Sequence, residues 1–326
     1  MSIPAQFNCA TTAEPLNHLN SLNSSPHAPF SAIGVSRADA VEEEHADYFL
    51  RWLSSGGNAS MAYMANYTDL RLDPRKLHPG TKSIISAALN YYPSQHLSPS
   101  QYQFAYYAYG KDYHEVMRQY LTQLAQTLGI EGRICVDTAP VLERYWAWKA
   151  GLGWIGRNHN LIIPGKGSFV VLGEILTDAE FDTYDTPMPS HCGNCKACTS
   201  QCQALMHSAE NQSLPFPAEQ CHSYQTIENK YTEPLRTTQN HPEYSVSNLQ
   251  SHYIYGCDCC QLVCPHNKNI PSTQIPEFQP SEQFLSMPPT DWHNLTQEQY
   301  KALFRHSAVK RAKYEKIISN ISMANN

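Results

Sequence analysis

The sequence lacks the features that would send a protein through or into a membrane. No window of the 326 residues approaches the roughly 18 consecutive apolar residues that a membrane-spanning helix needs. The first Lys or Arg is Arg37, so neither the basic start of a signal peptide nor a twin-arginine signal is present. We therefore expect a soluble, cytoplasmic protein.

Positive charge is also scarce. The chain has 23 Lys and Arg against 29 Asp and Glu, a formal net charge of -6, which excludes a generally basic nucleic-acid-binding protein. A local basic surface is compatible with this composition. Residues 300–318 predict one helix in which six basic residues oppose only Glu315; these are Lys301, Arg305, Lys310, Arg311, Lys313 and Lys316. They form either a solvated helix face or a patch that contacts phosphates, through Lys310, Arg311 and Lys313.

Cysteine, by contrast, is abundant, with eleven residues. In a protein without an export signal these are expected to be reduced thiols that bind metals. Residues 192–202 read C-x2-C-x2-C-x3-C, and residues 257–265 read C-x2-C-x3-C-P when Cys259 is passed over. Such spacing is typical of [4Fe–4S] clusters, whereas a zinc ion needs two C-x2-C pairs and does not account for four cysteines in this pattern.

In two-cluster ferredoxins the fourth cysteine of each run binds the other cluster. The first cluster is therefore predicted to use Cys192, Cys195, Cys198 and Cys264. The second is predicted to use Cys202, Cys221, Cys257 and Cys260. Cys259 competes with its neighbours as a ligand, but Cys257 and Cys260 repeat the x2 and x3 spacing. Cys9 and Cys135 are left over, and Cys135 is expected to be a buried, inert thiol.

Strands alternate with helices up to about residue 183, which predicts a mixed α/β or α+β layer fold. The strand predictions are 30–35, 83–92, 133–136, 159–164 and 168–178, and the helix predictions are 39–55, 112–128 and 141–150. Beyond residue 190 the apolar content is too low for an independent core, so metal ligation is expected to stabilise that part. We divide the chain into a loosely ordered segment 1–30, a catalytic domain 31–185, a cluster domain 186–275 and a helical, basic segment 276–326.

Two further features fall in the first domain. Asp137 follows a strand directly, where its simplest role is to cap the next helix. Residues 151–156 match G-x-G-x-x-G, but they follow a helix and precede strands, so they are not a dinucleotide-binding motif. A tight turn is the alternative interpretation. No D-x-H-x-x-G motif is present, so a corrinoid bound through that type of His ligand is not indicated.

Several blocks together resemble the epoxyqueuosine reductases of queuosine tRNA biosynthesis. The matching blocks are residues 136–143, 149–156, 172–175, 192–202, 221–228 and 255–265, with fainter matches at 107–114 and 307–311. Two departures are His266, where the family usually has Trp, and Gln203, where bacterial ferredoxins have Pro. Longer family members also have a C-terminal helical-repeat extension that contacts tRNA. None is visible before Asn326, so the basic residues of 301–316 are expected to contribute more to tRNA binding.

The resemblance implies a cobalamin-binding domain, similar to the reductive dehalogenase and nitroreductase-like fold, followed by a bacterial two-cluster ferredoxin-like domain. It implies reduction of epoxyqueuosine, at the wobble position of tRNA, to queuosine. Asp137 is then the proton donor, a carboxyl kept protonated by burial, and the 151–156 turn lets the backbone approach the corrin. The implied cobalamin contacts are Asp137, Arg144, Lys149, Gly153, Trp154, Gly156, Arg157, Asn158, Asn160 and Ser223.

The implied partners are the tRNA anticodon loop and a low-potential electron donor such as flavodoxin or ferredoxin, and a monomer is sufficient. Three alternatives stay open. A reductive dehalogenase-like enzyme also combines cobalamin with two clusters, but that family typically has a twin-arginine signal and a Tyr acid. A multidomain ferredoxin-type electron carrier would bind clusters without a corrinoid. A zinc-stabilised RNA-binding module would be colourless.

Overall fold

The computed structural model describes residues 29–210, 215–230 and 252–324. The segment predicted to be loosely ordered, 1–30, lies outside the described residues except for its last two. Within the described ranges, no helix is long and apolar enough to cross a membrane.

The strands and helices of the described residues are as follows. The strands are β1 (Ala32–Arg37), β2 (Ser83–Asn90), β3 (Gln103–Phe104), β4 (Arg133–Cys135), β5 (Trp154–Ile155), β6 (Leu161–Ile162), β7 (Val170–Thr177) and β8 (Tyr253–Tyr255). The helices are α1 (Glu43–Ser54), α2 (Thr68–Leu72), α3 (Pro74–Leu77), α4 (Tyr113–Leu128), α5 (Glu143–Lys149), α6 (Gln203–Glu210), α7 (His222–Ile227), α8 (Cys259–Leu262), α9 (Glu282–Ser286), α10 (Pro289–His293), α11 (Gln297–Leu303) and α12 (Lys313–Ala324).

A four-stranded sheet of order β1-β2-β7-β4 forms the centre of the N-terminal part. All neighbouring strands are antiparallel, with Ser83 opposite Thr177 and Arg133 opposite Leu176. The four apolar runs predicted as strands enter this sheet within two residues of their predicted bounds. Both faces are covered, by α4 on one side and α5 on the other. Double coverage explains why β2 and β7 are buried along almost their whole length, and it confirms a mixed α and β architecture.

Helix α4 matches its prediction closely. Asp112 caps its N-terminus by accepting from the backbone N–H of His114, and Gly129 ends it with a φ of 64°. Met117 and Leu121 are fully buried against the sheet. Because a fully buried Leu replaced by Ala typically costs about 2–5 kcal/mol, these contacts hold the N-terminus of α4 firmly beside the end of β4.

Helix α1 is shorter than predicted, and so is the strand predicted over 159–164. The backbone before Glu43 is extended, because the N–H of Val41 donates to the carbonyl of Leu72. The strand predicted over 159–164 is reduced to the two residues of β6, because His159 lies in a turn with a φ of 59°. β5 and β6 form a short hairpin that begins in the 151–156 turn.

The single helix predicted over 300–318 is wrong. The chain there forms α11, a 3₁₀ turn (Ala308–Arg311) and α12. Ser307 caps the 3₁₀ turn, and Lys313 has a φ of 64°, which is incompatible with a continuous helix. Lys316 is buried rather than solvated, so the basic residues do not share one exposed face.

The C-terminal helices pack on an aromatic core that they share with the middle of the chain. The ring of Phe104, in β3, packs on Phe284 and Trp292, with a centroid distance of 5.1 Å to each. β3 itself pairs in parallel with β8. The Asn320 amide of α12 donates to the carbonyls of Thr226 and Ile254, both at 2.8 Å. This core joins residues 276–324 to residues on both sides of the proposed domain boundaries, which stay predictions.

Candidate active site

Asp137 lies on the turn that leads from β4 to α5. Its φ of 52° is unusual for a residue with a side chain, and its backbone N–H donates to the carboxylate of Glu143. The buried Val136 fixes the preceding residue, and Glu143 begins α5. The turn therefore projects the Asp137 carboxylate, 53% exposed, away from the core. Capping of α5 by Asp137, the simplest expectation, does not occur, because Leu142 occupies that position.

His114 connects Asp137 to a second carboxylate. Its Nε2 lies 3.0 Å from Oδ2 of Asp137, and its Nδ1 lies 2.6 Å from Oδ1 of Asp112. Burial lowers the pKa of His114, but the hydrogen bonds and charges of the two carboxylates outweigh burial and raise this pKa to about 9. The imidazole is therefore protonated at neutral pH, and both of its nitrogens are donors.

The protonation state of Asp137 differs from expectation. Burial raises its pKa, but the hydrogen bond and charge of His114, with the hydroxyl of Tyr113, lower it by more, so the net pKa is below the ordinary value. A carboxyl held protonated by burial is therefore a wrong description of Asp137 in the free protein. The neighbouring Glu143 is the group with a raised pKa, because of burial first and the Asp137 charge second.

Arg311 reaches this region from the C-terminal part of the chain. Its Nε lies 2.5 Å from Oε1 of Glu228, and its guanidinium lies 5.3 Å from the centre of the Tyr63 ring. Lys310 and Lys313 are exposed beside it. Arg311 is thus already paired, which leaves the two lysines as the residues of the predicted patch that can meet a phosphate without breaking an ion pair.

Four of the predicted ligands meet around one cavity. Cys192, Cys195, Cys198 and Cys264 line it, together with Arg157, Asn158, Ile162, Ala197, Pro265 and His266. Burial raises the pKa of Cys264, and the nearby Cys192 and Cys195 add to this rise. The four thiols thus come from two distant runs, as the interdigitated ferredoxin pattern predicts, and the donor set fits one cubane cluster.

The other four predicted ligands also come together. Burial raises the pKa of Cys260 well above its ordinary value, and the nearby Cys257, Cys202 and Cys221 raise it further. Cys221, the least certain of the predicted ligands, therefore lies beside the other three although it is distant from them in the sequence. Cys198 packs against Cys202, so the two cysteine groups adjoin each other. No set of three or more His, Cys, Asp or Glu side chains in the described ranges is arranged around a single metal ion.

The two remaining thiols of the described residues are buried. Cys259 is 1% exposed and forms a hydrogen bond with Cys257, which raises the pKa of Cys257. Burial raises the pKa of Cys135 to about 12, so the expectation of an inert thiol at this position is confirmed. Cys9 lies outside the described residues.

Several predicted cobalamin contacts instead support the cysteine groups. Arg157 donates to the carbonyls of Gly193 and Cys195, at 2.6 and 3.0 Å. The Asn158 amide donates to the carbonyl of Cys260 at 3.4 Å, and Asn160 bonds to Asn158. The hairpin of β5 and β6 therefore holds one loop of each cysteine group, a role that spacing in the sequence did not reveal.

The glycines of the 151–156 turn have an internal explanation. A Cβ on Gly153 would lie 2.1 Å from the carbonyl oxygen of Ile162, and one on Gly156 would lie 2.5 Å from the Ile162 side chain. Trp154 is 2% exposed and packs on His191 and His266 beside the first cysteine group. Gly153 and Gly156 therefore allow β5 and β6 to approach each other closely, which agrees with the tight-turn interpretation. This approach is sufficient to explain both glycines.

The other predicted contacts lie on α5 and α7. Arg144 is exposed on α5 and donates to the carbonyl of His159. Lys149, at the end of the same helix, pairs with Glu42. Ser223 lies in the first turn of α7, two residues after Cys221. Asp137 and Arg144 are both exposed polar residues, and their opposite charges interact.

Helix α7 links the second cysteine group to the Asp137 region. It begins after Cys221 and ends before Glu228, the partner of Arg311. Midway, the Tyr224 hydroxyl donates to Ser60 at 2.7 Å, next to the turn that carries Tyr63. The second group is therefore linked to the Asp137 region through α7, and the first group is linked to α5 through Arg157, His159 and Arg144.

Sequence reasoning missed His114, Asp112 and Glu143. His114 and Asp137 are 23 residues apart and meet only because α4 packs beside β4. The available signal was the Asp-Tyr-His sequence at the start of a strongly predicted helix, which places an acid and an imidazole at a helix N-terminus.

Thiolates grouped in fours can ligate iron–sulfur clusters, which transfer electrons, whereas a carboxylate bonded to a protonated imidazole transfers protons. A chain that combines the two is an oxidoreductase. Residues 71–138 match the family model described as epoxyqueuosine reductase QueG, DUF1730. Epoxyqueuosine reductases from Cellulophaga algicola and Leadbetterella byssophila are 40% and 41% identical to the chain, over 90% of its length in each case and 92% and 93% of theirs. The chain belongs to the epoxyqueuosine reductase family.

Solved structures agree with this assignment. A crystal structure of epoxyqueuosine reductase with an epoxyqueuosine-modified tRNA-Tyr stem loop matches with a TM-score of 0.78 and 26% identity, over 94% of this chain and 79% of that one. A selenomethionine-labelled epoxyqueuosine reductase matches with a TM-score of 0.79 and 26% identity.

Proposed function

We propose that this chain reduces the epoxide of epoxyqueuosine in tRNA to the alkene of queuosine. The observation that carries the proposal is the hydrogen-bonded set Asp112–His114–Asp137, exposed on one side of a family member that also holds two groups of four thiols. The overall change consumes two electrons and two protons and releases the oxygen as water. The site must therefore supply both electrons and protons.

The eight grouped cysteines would hold two [4Fe–4S] clusters, and Asp137, Arg144 and Ser223 would contact cobalamin. When bound, these groups would supply single electrons and a reduced cobalt centre able to open an epoxide. Support for the clusters comes from the donor sets described above, and support for cobalamin comes from the family resemblance and the exposed polar surface at Asp137. Lys149, which pairs with Glu42, is a weaker candidate contact, as are the buried or internally bonded residues Gly153, Trp154, Gly156, Arg157, Asn158 and Asn160.

Proton delivery follows from the residues themselves. In the free protein the shared proton resides on His114, because its pKa is about 9 and that of Asp137 is low. A bound nucleotide excludes water from Asp137, and loss of water raises the pKa of a carboxylate. The proton then moves along the 3.0 Å bond to Asp137, which donates it to the oxygen released by epoxide opening.

The second proton takes the same route. The hydroxyl formed in the first step leaves as water only after a second protonation, and Asp137 is by then ionised. His114, whose side chain is 24% exposed, recovers a proton from solvent at Nε2 and transfers it to Asp137. The Asp112 carboxylate fixes the ring orientation, because its bond to Nδ1 leaves Nε2 directed at Asp137.

The substrate surface of this proposal is the anticodon loop of tRNA. Tyr63 and Tyr67 are exposed, at 42% and 67%, on the segment before α2, and unstacked bases commonly pack on such rings. Lys310 and Lys313 provide phosphate contacts on the other side of Arg311. A monomer in the cytoplasm is sufficient for this reaction, and both properties stay predictions.

The deciding experiment is mass analysis of tRNA nucleosides from a host whose own epoxyqueuosine reductase has been deleted. Expression of this chain should convert epoxyqueuosine to queuosine, and Asp137→Asn should leave epoxyqueuosine in place. Accumulated epoxyqueuosine in the presence of folded, cluster-loaded wild-type protein would contradict the proposal. Visible spectra with and without added cobalamin separate the proposal from a ferredoxin-type carrier, which binds no corrinoid.

A further inference from the structure

The surface around the first cysteine group has a charge opposite to that of the whole chain. Every residue that lines its cavity comes from 151–173, 186–209 or 259–276. Apart from histidines, these three segments contain four basic residues, Arg157, Lys166, Lys196 and Lys268. They contain no Asp or Glu within these bounds, although the whole chain has 29 acidic residues and a net charge of -6. The acidic residues that border the segments are Glu174 and Asp258, which are buried, and Asp185, Glu210 and Glu277. We call the exposed residues of these segments the basic rim.

Lys196 and Lys268 lie on or directly after the loops that line the cavity, and Lys166 lies on a loop that contacts the second of these. Lys196 lies between Cys195 and Cys198. Lys166 and Lys268 flank a contact between two loops, in which the Asn267 carboxamide accepts from the backbone N–H of Ser168 at 2.7 Å. All three lysines are exposed, and none forms an ion pair with another residue that the structure describes. Their charge is therefore available to a partner.

We propose that the basic rim is the docking surface for an acidic one-electron carrier protein, which delivers electrons to the first cysteine group. This inference rests on the proposed function, because it assumes that the thiols hold clusters. The accessibility of the first group supports it, because Cys192, Cys195 and Cys198 are only partly buried and line a cavity that a carrier can approach. Carriers of opposite charge associate faster, because the electrostatic field steers the encounter.

The electron count is consistent with repeated docking. In each encounter the reduced carrier loses one electron and the first group gains one. Two encounters supply the two electrons that epoxide reduction consumes, while the two protons enter separately through His114 and Asp137. No other reductant is required.

The chemistry of the rim favours a protein over RNA. Single-stranded RNA is bound by basic residues interleaved with exposed aromatic rings. The large exposed tyrosines of the described residues, Tyr48, Tyr63 and Tyr67, all lie outside the three segments. The large exposed apolar side chains inside them are Met206 and Leu262, both aliphatic and close to cysteines of the runs. Aliphatic contacts surrounded by unpaired lysines suit a small, transient protein interface.

The test reverses three charges in the reconstituted holoenzyme, as Lys166→Glu with Lys196→Glu and Lys268→Glu. The probe is an acidic flavodoxin in its hydroquinone state. Stopped-flow absorbance follows reduction of the clusters, and calorimetry gives the Kd of the oxidised pair. We expect the second-order rate constant to fall at least ~10-fold at low ionic strength, with a difference that shrinks as salt is added.

A matched control carries the same change in net charge elsewhere. Lys76→Glu, Arg118→Glu and Lys301→Glu alter exposed residues outside the three segments and should leave the rate constant within about 2-fold of wild type. Iron and sulfide content verifies cluster loading. If Lys196→Glu reduces loading, the pair Lys166→Glu and Lys268→Glu, outside the cysteine loops, provides the test.

Three results would overturn the inference. The first is an unchanged rate constant and Kd in the rim variant, and the second is an equal loss in the control variant. The third is loss of tRNA stem-loop binding with unchanged flavodoxin kinetics, which would assign the rim to RNA. A wild-type protein that accepts electrons through the rim but leaves epoxyqueuosine unreduced would instead contradict the proposed function alone.

Discussion

Replacing Asp112 by Asn should lower the pKa of His114 without disturbing the helix that carries it. Asp112 has two roles: its carboxylate bonds to Nδ1 of His114, and it caps the N-terminus of α4. Asn is an equally good N-cap residue, so the helix keeps its cap. The variant therefore removes one negative charge from the imidazole and little else.

The size of the effect follows from the contacts of the imidazole. Two carboxylates together raise the pKa of His114 from 6.5 to about 9, against the opposing effect of burial. The bond to Asp112, at 2.6 Å, is the shorter of the two, and the bond to Asp137 is 3.0 Å. Asp112→Asn should therefore lower the pKa of His114 by about 1 unit or more, which corresponds to about 1.4 kcal/mol.

Two measurements check this value. NMR titration of the His114 ring proton in the apoprotein reports its pKa directly. In turnover with epoxyqueuosine-modified stem loop, kcat/KM should fall on the alkaline side as His114 loses its proton, and that limb should move to lower pH in the variant. Glu115→Gln removes a charge from the first turn of the same helix, where the exposed Glu115 makes no bond to His114 in the structure, and serves as the matched control.

The stability of the variant has a defined pH dependence. A raised pKa in the folded state stabilises the protein fully below the unfolded value of about 6.5, and this contribution is lost as pH rises through about 9. The depressed pKa of Asp112 acts in the opposite direction and stabilises above its ordinary value of 3.8. Wild type and Asp112→Asn should therefore differ most in unfolding free energy between about pH 4 and pH 6.5. The difference should shrink as the pH rises through about 9. An unchanged His114 pKa and alkaline limb would refute the assigned role of this carboxylate.

Three further predictions concern the other parts of the site. Asp137→Asn should keep cobalamin and both clusters, by visible spectrum, and lose about 10²–10⁴-fold in kcat, since general acid catalysis contributes on that order; full turnover would remove Asp137 from the mechanism. Cys221→Ser should lose about half of the bound iron, whereas Cys259→Ala should retain all of it, and the reverse pattern would exchange their roles. Lys310→Ala with Lys313→Ala should weaken stem-loop binding and lower the salt slope by about 1–2, and an unchanged slope would assign both lysines to a solvated surface.

Local patterns in the sequence were sufficient wherever one element determined its own structure. The four-residue spacing of Val116, Tyr120, Leu124 and Leu128, closed by Gly129, predicted α4 almost to the residue. The cysteine spacing also indicated the two groups, because a cluster of given geometry accepts few arrangements of short loops. In both cases neighbouring residues hold the whole signal.

Prediction failed where contacts between distant residues determined the outcome. The protonation of Asp137 depends on His114, which α4 brings to it from 23 positions earlier. The helix predicted over 300–318 is broken at Ser307 and Lys313, where the chain turns to follow a core built around Phe104. The local sequence around Asp137 does not reveal His114, and the local sequence of 300–318 does not reveal the core around Phe104. Tertiary packing overrides helix propensity in the second case.

The shared aromatic core also constrains when the protein can be completed during synthesis. Phe104 emerges from the ribosome roughly 180 residues before Phe284 and Trp292, the rings that cover it. β8, which joins the second cysteine run to Phe104, is in turn held by Asn320. At about 5–20 residues per second, Phe104 waits on the order of 10–40 seconds for its partners. If the two thiol groups hold the proposed iron–sulfur clusters, stable insertion is expected after translation of α12, which makes cluster loading a late step in the maturation of this chain.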